Sequence, residues 1–180
     1  GEQVFVNAPS ISDILGDKLT AYAHDTTGIP YYKGENLSTL EVIKQLYDIG
    51  RLFDRVTDLS VTRTAFSKIA PVELSYRGMD TTNLSPIYDD IRNTSLNITT
   101  RGLVNKEKFD LLQKGIKNIK HFIYKSQYRI EEAIADAAKA AYLATSIELR
   151  KEFVEHYESP NQIIDASIGK VYTTKLNKLK

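Results

Sequence analysis

Apolar and small residues recur at alternating steps of three and four along the second half of the chain, at Phe109, Leu112, Ile116, Ile119, Ile123, Ser126, Ile130, Ala133, Ala137, Ala140, Ala144 and Ile147. A stripe held near a period of 3.5 residues predicts a long helix that is partnered along its length, in the manner of a coiled-coil seam. Asn105 offers an N-cap, Val104 can staple onto Phe109, and Ser159-Pro160 bars continuation, so the predicted helix covers residues 105–158. About 50 residues at 1.5 Å each would make a rod of roughly 75 Å, with Gly115 as its expected bend point.

A second stripe begins at the capping box Ser38-Thr39-Leu40-Glu41 and runs through Val42, Leu46, Ile49, Phe53, Val56, Leu59, Phe66 and Ile69 toward Pro71. It predicts a first long helix over 37–70. Before it, Ser10 to Tyr22 reads as a short capped amphipathic helix, and Asp25 to Asn36 as an irregular connection, together residues 1–36. Residues 71–104, rich in Thr and Asn, break the helical pattern and read as a side lobe, and 159–180 as a C-terminal tail. The expected fold is mainly α: an elongated antiparallel helical bundle built on two long helices, with a small irregular side lobe.

The seam of the second long helix changes from large residues to alanines after Ile130. Alanines let backbones approach closely while burying less area, so this half should be the more tightly packed and the more deformable. Charge divides along the same helix, basic from Lys106 to Arg129 and acidic from Glu131 to Glu158. That order opposes the helix macrodipole.

With 24 basic and 23 acidic residues the chain carries a formal charge of +1, which gives no overall pull toward nucleic acid. No apolar run is long enough to insert in a bilayer. There is no cysteine, which removes disulfides, thiolate nucleophiles and Cys-type zinc sites and tilts the expected setting toward an extracytoplasmic one: periplasmic, secreted or virion. The first residue is Gly1, as a terminus left by signal cleavage or by cloning would give. Asn36, Asn83, Asn93 and Asn97 open Asn-X-Ser/Thr triplets, which a chain rich in these residues generates by chance.

Candidate chemistry is sparse. His24, His121 and His156 fall in no HExxH or Glu-x-x-His pattern, and no phosphate-binding GxxxxGK[ST], GxGxxG or nucleophile-elbow GxSxG occurs. His24-Asp25 reads as a surface turn, and adjacent acids such as Asp89-Asp90 point in different directions on a helix. No catalytic residue, metal or cofactor is expected. Gly28-Ile29-Pro30, leading through Glu35-Asn36-Leu37 into an amphipathic helix, loosely resembles the mature start of minor pilus-tip subunits of type IV secretion systems. The resemblance spans about ten residues and implies an exported helical bundle with a side lobe; it carries over no functional residue.

The expectation is therefore a non-catalytic structural or interaction protein, an exported or virion-associated helical rod that binds a protein partner or assembles with itself. A pilus-tip or adhesin-like subunit and a helical sensor binding a ligand between its helices are the alternatives. The expected contact residues are Tyr31 and Tyr32 in the connection and Tyr76, Arg77 and Tyr88 in the lobe.

Overall fold

The computed structural model describes residues 8–124 and 127–155. The expected tail 159–180 and the seam position Ser126 lie outside them, and the helix expected to reach residue 158 ends at Glu148. The chain is mainly helical: α1 (Ile11–Tyr22), a two-stranded hairpin β1 (Tyr32–Lys33) and β2 (Asn36–Leu37), α2 (Thr39–Phe53), α3 (Leu59–Tyr76), α4 (Ser85–Thr99), α5 (Lys106–Asn118) with a 3-10 turn at Ile119–His121, and α6 (Ile130–Glu148).

Several of these starts were legible. Ser10 caps α1 by accepting from the Asp13 N–H at 3.1 Å, while the Asp13 carboxylate accepts from the Ser10 N–H at 3.0 Å. Asn105 caps α5 through the Lys108 N–H at 2.9 Å. At α2 the helix begins where expected, but the Ser38 side chain makes no capping bond.

Neither long helix is continuous, and this corrects the expectation of two long helices. The first is divided at 54–58, where Asp58 accepts from the Ser60 N–H at 2.8 Å and so opens a new helix, α3. The apolar stripe crosses the break in register because Val56 and Leu59 are both buried, 2% and 0% exposed, on either side of it. The second is divided at 122–129, and the Arg129 N–H donates to the Glu132 carboxylate at 3.0 Å to start α6. The longest helix among the described residues, α6, has 19 residues, about 28 Å at 1.5 Å each. Gly115 lets α5 lie against the Thr39 carbonyl and Ile43 of α2, where a Cβ would sit 2.6 Å from that oxygen.

The seam residues are nonetheless core. Phe109, Leu112, Ile116, Ile119, Ala133, Ala137, Ala140, Ala144 and Ile147 are buried, and Ile123 and Ile130 pack partly against the same core. They serve two helices with different partners: α5 packs chiefly on α2, whereas α6 packs on α4 and α2. A single periodic stripe thus wraps two interfaces.

The side-lobe expectation is also corrected. Helix α3 continues through Pro71 to Tyr76, losing only the bond to the carbonyl of exposed Ser67 while burying Ala70 and Leu74. Helix α4 buries Ile87, Ile91 and Ile98 and forms the most extensive helix contact of the molecule, with α6. Its polar core-facing residues hid that stripe. Buried Ser95 meets the Tyr22 hydroxyl at 3.4 Å, and the buried Asn97 amide both donates to the Asn105 carbonyl at 3.0 Å and accepts its N–H at 2.9 Å.

Candidate functional site

The densest chemistry lies where α1 turns toward the hairpin. Asp90, on α4 and 6% exposed, accepts at Oδ2 from the backbone N–H groups of Asp25 and Thr26, each at 2.9 Å, and from the Thr26 hydroxyl at 2.8 Å. His24, expected at the surface, is 4% exposed. Its ring stacks on Tyr31 at 3.9 Å, its Nδ1 lies 3.0 Å from Asp25 Oδ1, and its Nε2 lies 4.0 Å from Asp90 Oδ1. The other Asp25 oxygen accepts from Lys108 Nζ at 2.6 Å, which ties α5 to the turn.

Burial pushes the His24 imidazole down to about 4, against the pull of the Asp25 carboxylate, so the ring is neutral at pH 7 and its contact with Asp90 is not an ion pair. Burial likewise pushes the Asp90 carboxyl up to about 6, against the stabilising Thr26 donors.

Among the described residues, His24, Asp25 and Asp90 are the three donors close enough to share a metal ion, within 4.8 Å of one another. Their atoms are already committed. Asp90 Oδ2 serves three donors, His24 Nδ1 serves Asp25, and Asp25 Oδ2 serves Lys108. Asp90 Oδ1 also accepts from the Thr94 hydroxyl at 3.4 Å, which leaves His24 Nε2 as the one uncommitted ligand atom where a tetrahedral site needs four. The cluster is a lock on the turn.

Of the five expected contact residues, Arg77 is the one tied to the connection that carries Tyr31 and Tyr32, and Tyr76 precedes it at the end of α3. The Arg77 guanidinium, at the end of α3, donates to the Gly28 carbonyl, pinning the connection that leads into Tyr31 and Tyr32. The hairpin pairs Tyr32 with Leu37 and Lys33 with Asn36, and its base closes through Ser38 N–H to Tyr31 carbonyl at 2.7 Å. Lys33, Glu73 and Arg77 border a cavity of about 280 Å³ between this connection, α1 and α3. Tyr32 is 50% and Tyr76 79% exposed, while Tyr31 is half-buried on His24. Tyr88 is not a contact residue: it is 7% exposed and stacks on Phe66 at 5.0 Å in the core.

Two features had no signal in the sequence. Asp136, 1% exposed, accepts from Arg51 at 2.7 Å and from the Tyr128 hydroxyl at 2.8 Å, joining residues 85 apart. Burial pushes its carboxyl up, against the Tyr128 hydroxyl and Arg51. The second is an open groove of about 370 Å³ between α2 and the end of α5, floored by Tyr47, Ile119 and Ile123 and rimmed by Phe122 and Tyr124.

No protein-family model, curated protein or solved structure matches this chain. Function must be argued from the geometry. At Gly28-Ile29-Pro30 the fold itself makes a demand, since the Gly28 and Ile29 N–H groups donate back to the carbonyls of Ala23 and Ala21 at 2.6 and 2.9 Å.

Proposed function

We propose that the chain is a non-catalytic interaction module, a helical bundle that docks a protein partner or a second copy of itself through the hairpin and the C-terminal end of α3. The observation that carries the reading is the contrast between two groups of side chains. His24 and Asp90 are buried in the turn lock, whereas Tyr32 and Tyr76 are 50% and 79% exposed, with Leu37, the cross-strand partner of Tyr32, at 38% and Val72, one helical turn before Tyr76, at 48%. Tyrosine and arginine are the residue types that anchor interfaces, because they bury large area at low entropic cost and end in a hydrogen-bonding tip.

The alanine stripe favours this reading over a sensor with a ligand between its helices: Ala133, Ala137, Ala140 and Ala144 are 0% exposed. An exported or virion setting suits the cysteine-free composition.

The test is a photo-crosslinking side chain placed at Tyr32, at Tyr76 and, as a control, at exposed Asn93, in cells of the source organism. The reading expects discrete adducts from the first two positions that are lost with Arg77→Ala. Adducts equal to the control, at every concentration studied by sedimentation, would end it.

A further inference from the structure

We infer that the end of α5 is a peripheral docking surface for a bilayer carrying anionic headgroups. Between Asp110 and Glu131 the sequence holds no acidic residue. Within that stretch Lys114, Lys117 and Lys120 are exposed and make no ion pair among the described residues, unlike Lys106 and Lys108 at the start of the helix, which face Asp110 and Asp25. Immediately after them the chain turns and presents Phe122 at 60% and Tyr124 at 113% exposure. A chain of net charge +1 therefore concentrates unpaired positive charge beside two large aromatic side chains that the core does not use.

Each half of this pattern matches one layer of a membrane surface. Lysines on long flexible stems reach phosphate and carboxylate headgroups as point charges, and aromatic rings settle at the level where headgroups meet acyl chains. Lys114 and Lys117 on α5 and Lys120 in the 3-10 turn are exposed, while Leu112, Ile116 and Ile119 of the same stretch are buried. The 3-10 turn that carries Lys120 leads directly into Phe122 and Tyr124, so positive charge and exposed rings are adjacent along the chain.

A nucleic acid strand fits less well. One face of the Phe122 ring is occupied by Lys44 Nζ at 3.8 Å from its centre, which removes a stacking surface, and the Asp48 carboxylate lines the groove that a phosphodiester backbone would follow. The patch also contains no arginine between Lys114 and Tyr124.

The experiment is co-sedimentation of the full chain with vesicles of phosphatidylcholine alone and with vesicles that also contain phosphatidylserine, the anionic lipid to which polybasic segments are drawn. Binding is expected only to the anionic vesicles and is expected to weaken as salt rises. Lys114→Glu with Lys117→Glu and Lys120→Glu should lower it at least tenfold, and so should Tyr124→Ser alone, a change at a fully exposed position that leaves helical circular dichroism intact. Because the chain has no tryptophan, Tyr124→Trp installs a single indole whose emission should shift to the blue on those vesicles and on no others. Absence of vesicle binding, binding indifferent to the charge reversals, or an unshifted indole would overturn the inference. Binding of a single-stranded oligonucleotide or a second copy of the chain with no vesicle binding would reassign the patch and overturn it equally.

Discussion

Gly50 on α2 and Asp136 on α6 occupy the same point of the helix crossing: a Cβ built on Gly50 would stand 2.0 Å from Asp136 Oδ1. The missing side chain is what lets a carboxylate enter the core and reach Arg51 and Tyr128. Gly50→Ala must therefore push the helices apart or expel the carboxylate, at a cost of about 2–3 kcal/mol in urea unfolding. The same change made on an Asp136→Ala background should cost less by about 1 kcal/mol or more, because the atom it collides with is gone. Additive costs would mean that the two residues do not share the crossing.

Asp136→Ala by itself strands a buried tyrosine hydroxyl and the inner end of Arg51. The expected loss is about 3 kcal/mol, at the low end for a broken buried pair because Arg51 is 40% exposed and can turn to water. Asp136→Asn keeps an acceptor for one partner and should fall between the two, read by the midpoint of chemical denaturation.

Ala137 and Ala140 sit at 0% exposure where α6 is packed against its neighbours. Replacing either by Leu should overfill the contact and lower stability by about 1–3 kcal/mol. An unchanged melting temperature would show slack in the stripe.

The turn lock has a pH signature whose sign depends on two opposed groups. His24 is held at about 4, below its unfolded value of 6.5, so unfolded chains take up the proton first and its contribution to stability is lost as pH falls from 6.5 toward 4. Asp90 is held at about 6, above its unfolded 3.8, so its contribution is present at low pH and is lost as pH rises through 6. In the native chain the two nearly cancel. His24→Gln removes only the first, so between pH 7 and pH 4.5 the variant should gain about 2 kcal/mol relative to the native protein. Parallel stability profiles would refute the opposition.

Asn97 opens an Asn-X-Ser/Thr triplet but is 4% exposed and bonded at both ends of its amide to the Asn105 backbone. Asn97→Ala should cost about 1–3 kcal/mol by leaving those backbone groups unpaired. Mass spectrometry of chain secreted from a glycosylating host should find no glycan at this position, whatever occurs at exposed Asn36, Asn83 and Asn93.

How much of this was written in the order of residues differs from element to element. Helix starts were legible at Ser10 and Asn105 because a capping side chain acts within its own first turn. Core membership of Phe109 to Ile147 was legible because burial follows periodicity. The breaks after Phe53 and after the turn at Ile119–His121 were not, because an apolar stripe can keep its phase across a few residues of turn, and then spacing alone cannot tell one helix from two. Asp58 with Ser60 was the local signal available at the first break. Helix α4 was misread for a different reason: its inward face carries Thr94, Ser95 and Asn97, polar residues whose burial depends on partners from α1 and the α4–α5 loop. Of the expected contacts, Arg77 was joined to the connection before Tyr31 and Tyr32 by its bond to Gly28, while Tyr88 joined the core with the helix that had been taken for a lobe. Long-range pairs such as Arg51 and Asp136 leave no trace in spacing at all.

The carboxylate that finishes the first helix is supplied 64 and 65 residues downstream of the amides it binds. During synthesis, the N–H groups of Asp25 and Thr26 emerge long before Asp90 exists, and they remain hydrated until α4 has been made and has docked. The beginning of this protein is completed by its middle. A chain cut off before Asp90 would contain every residue of α1, the hairpin, α2 and α3, and would still lack the bonds that settle how the first turns into the second.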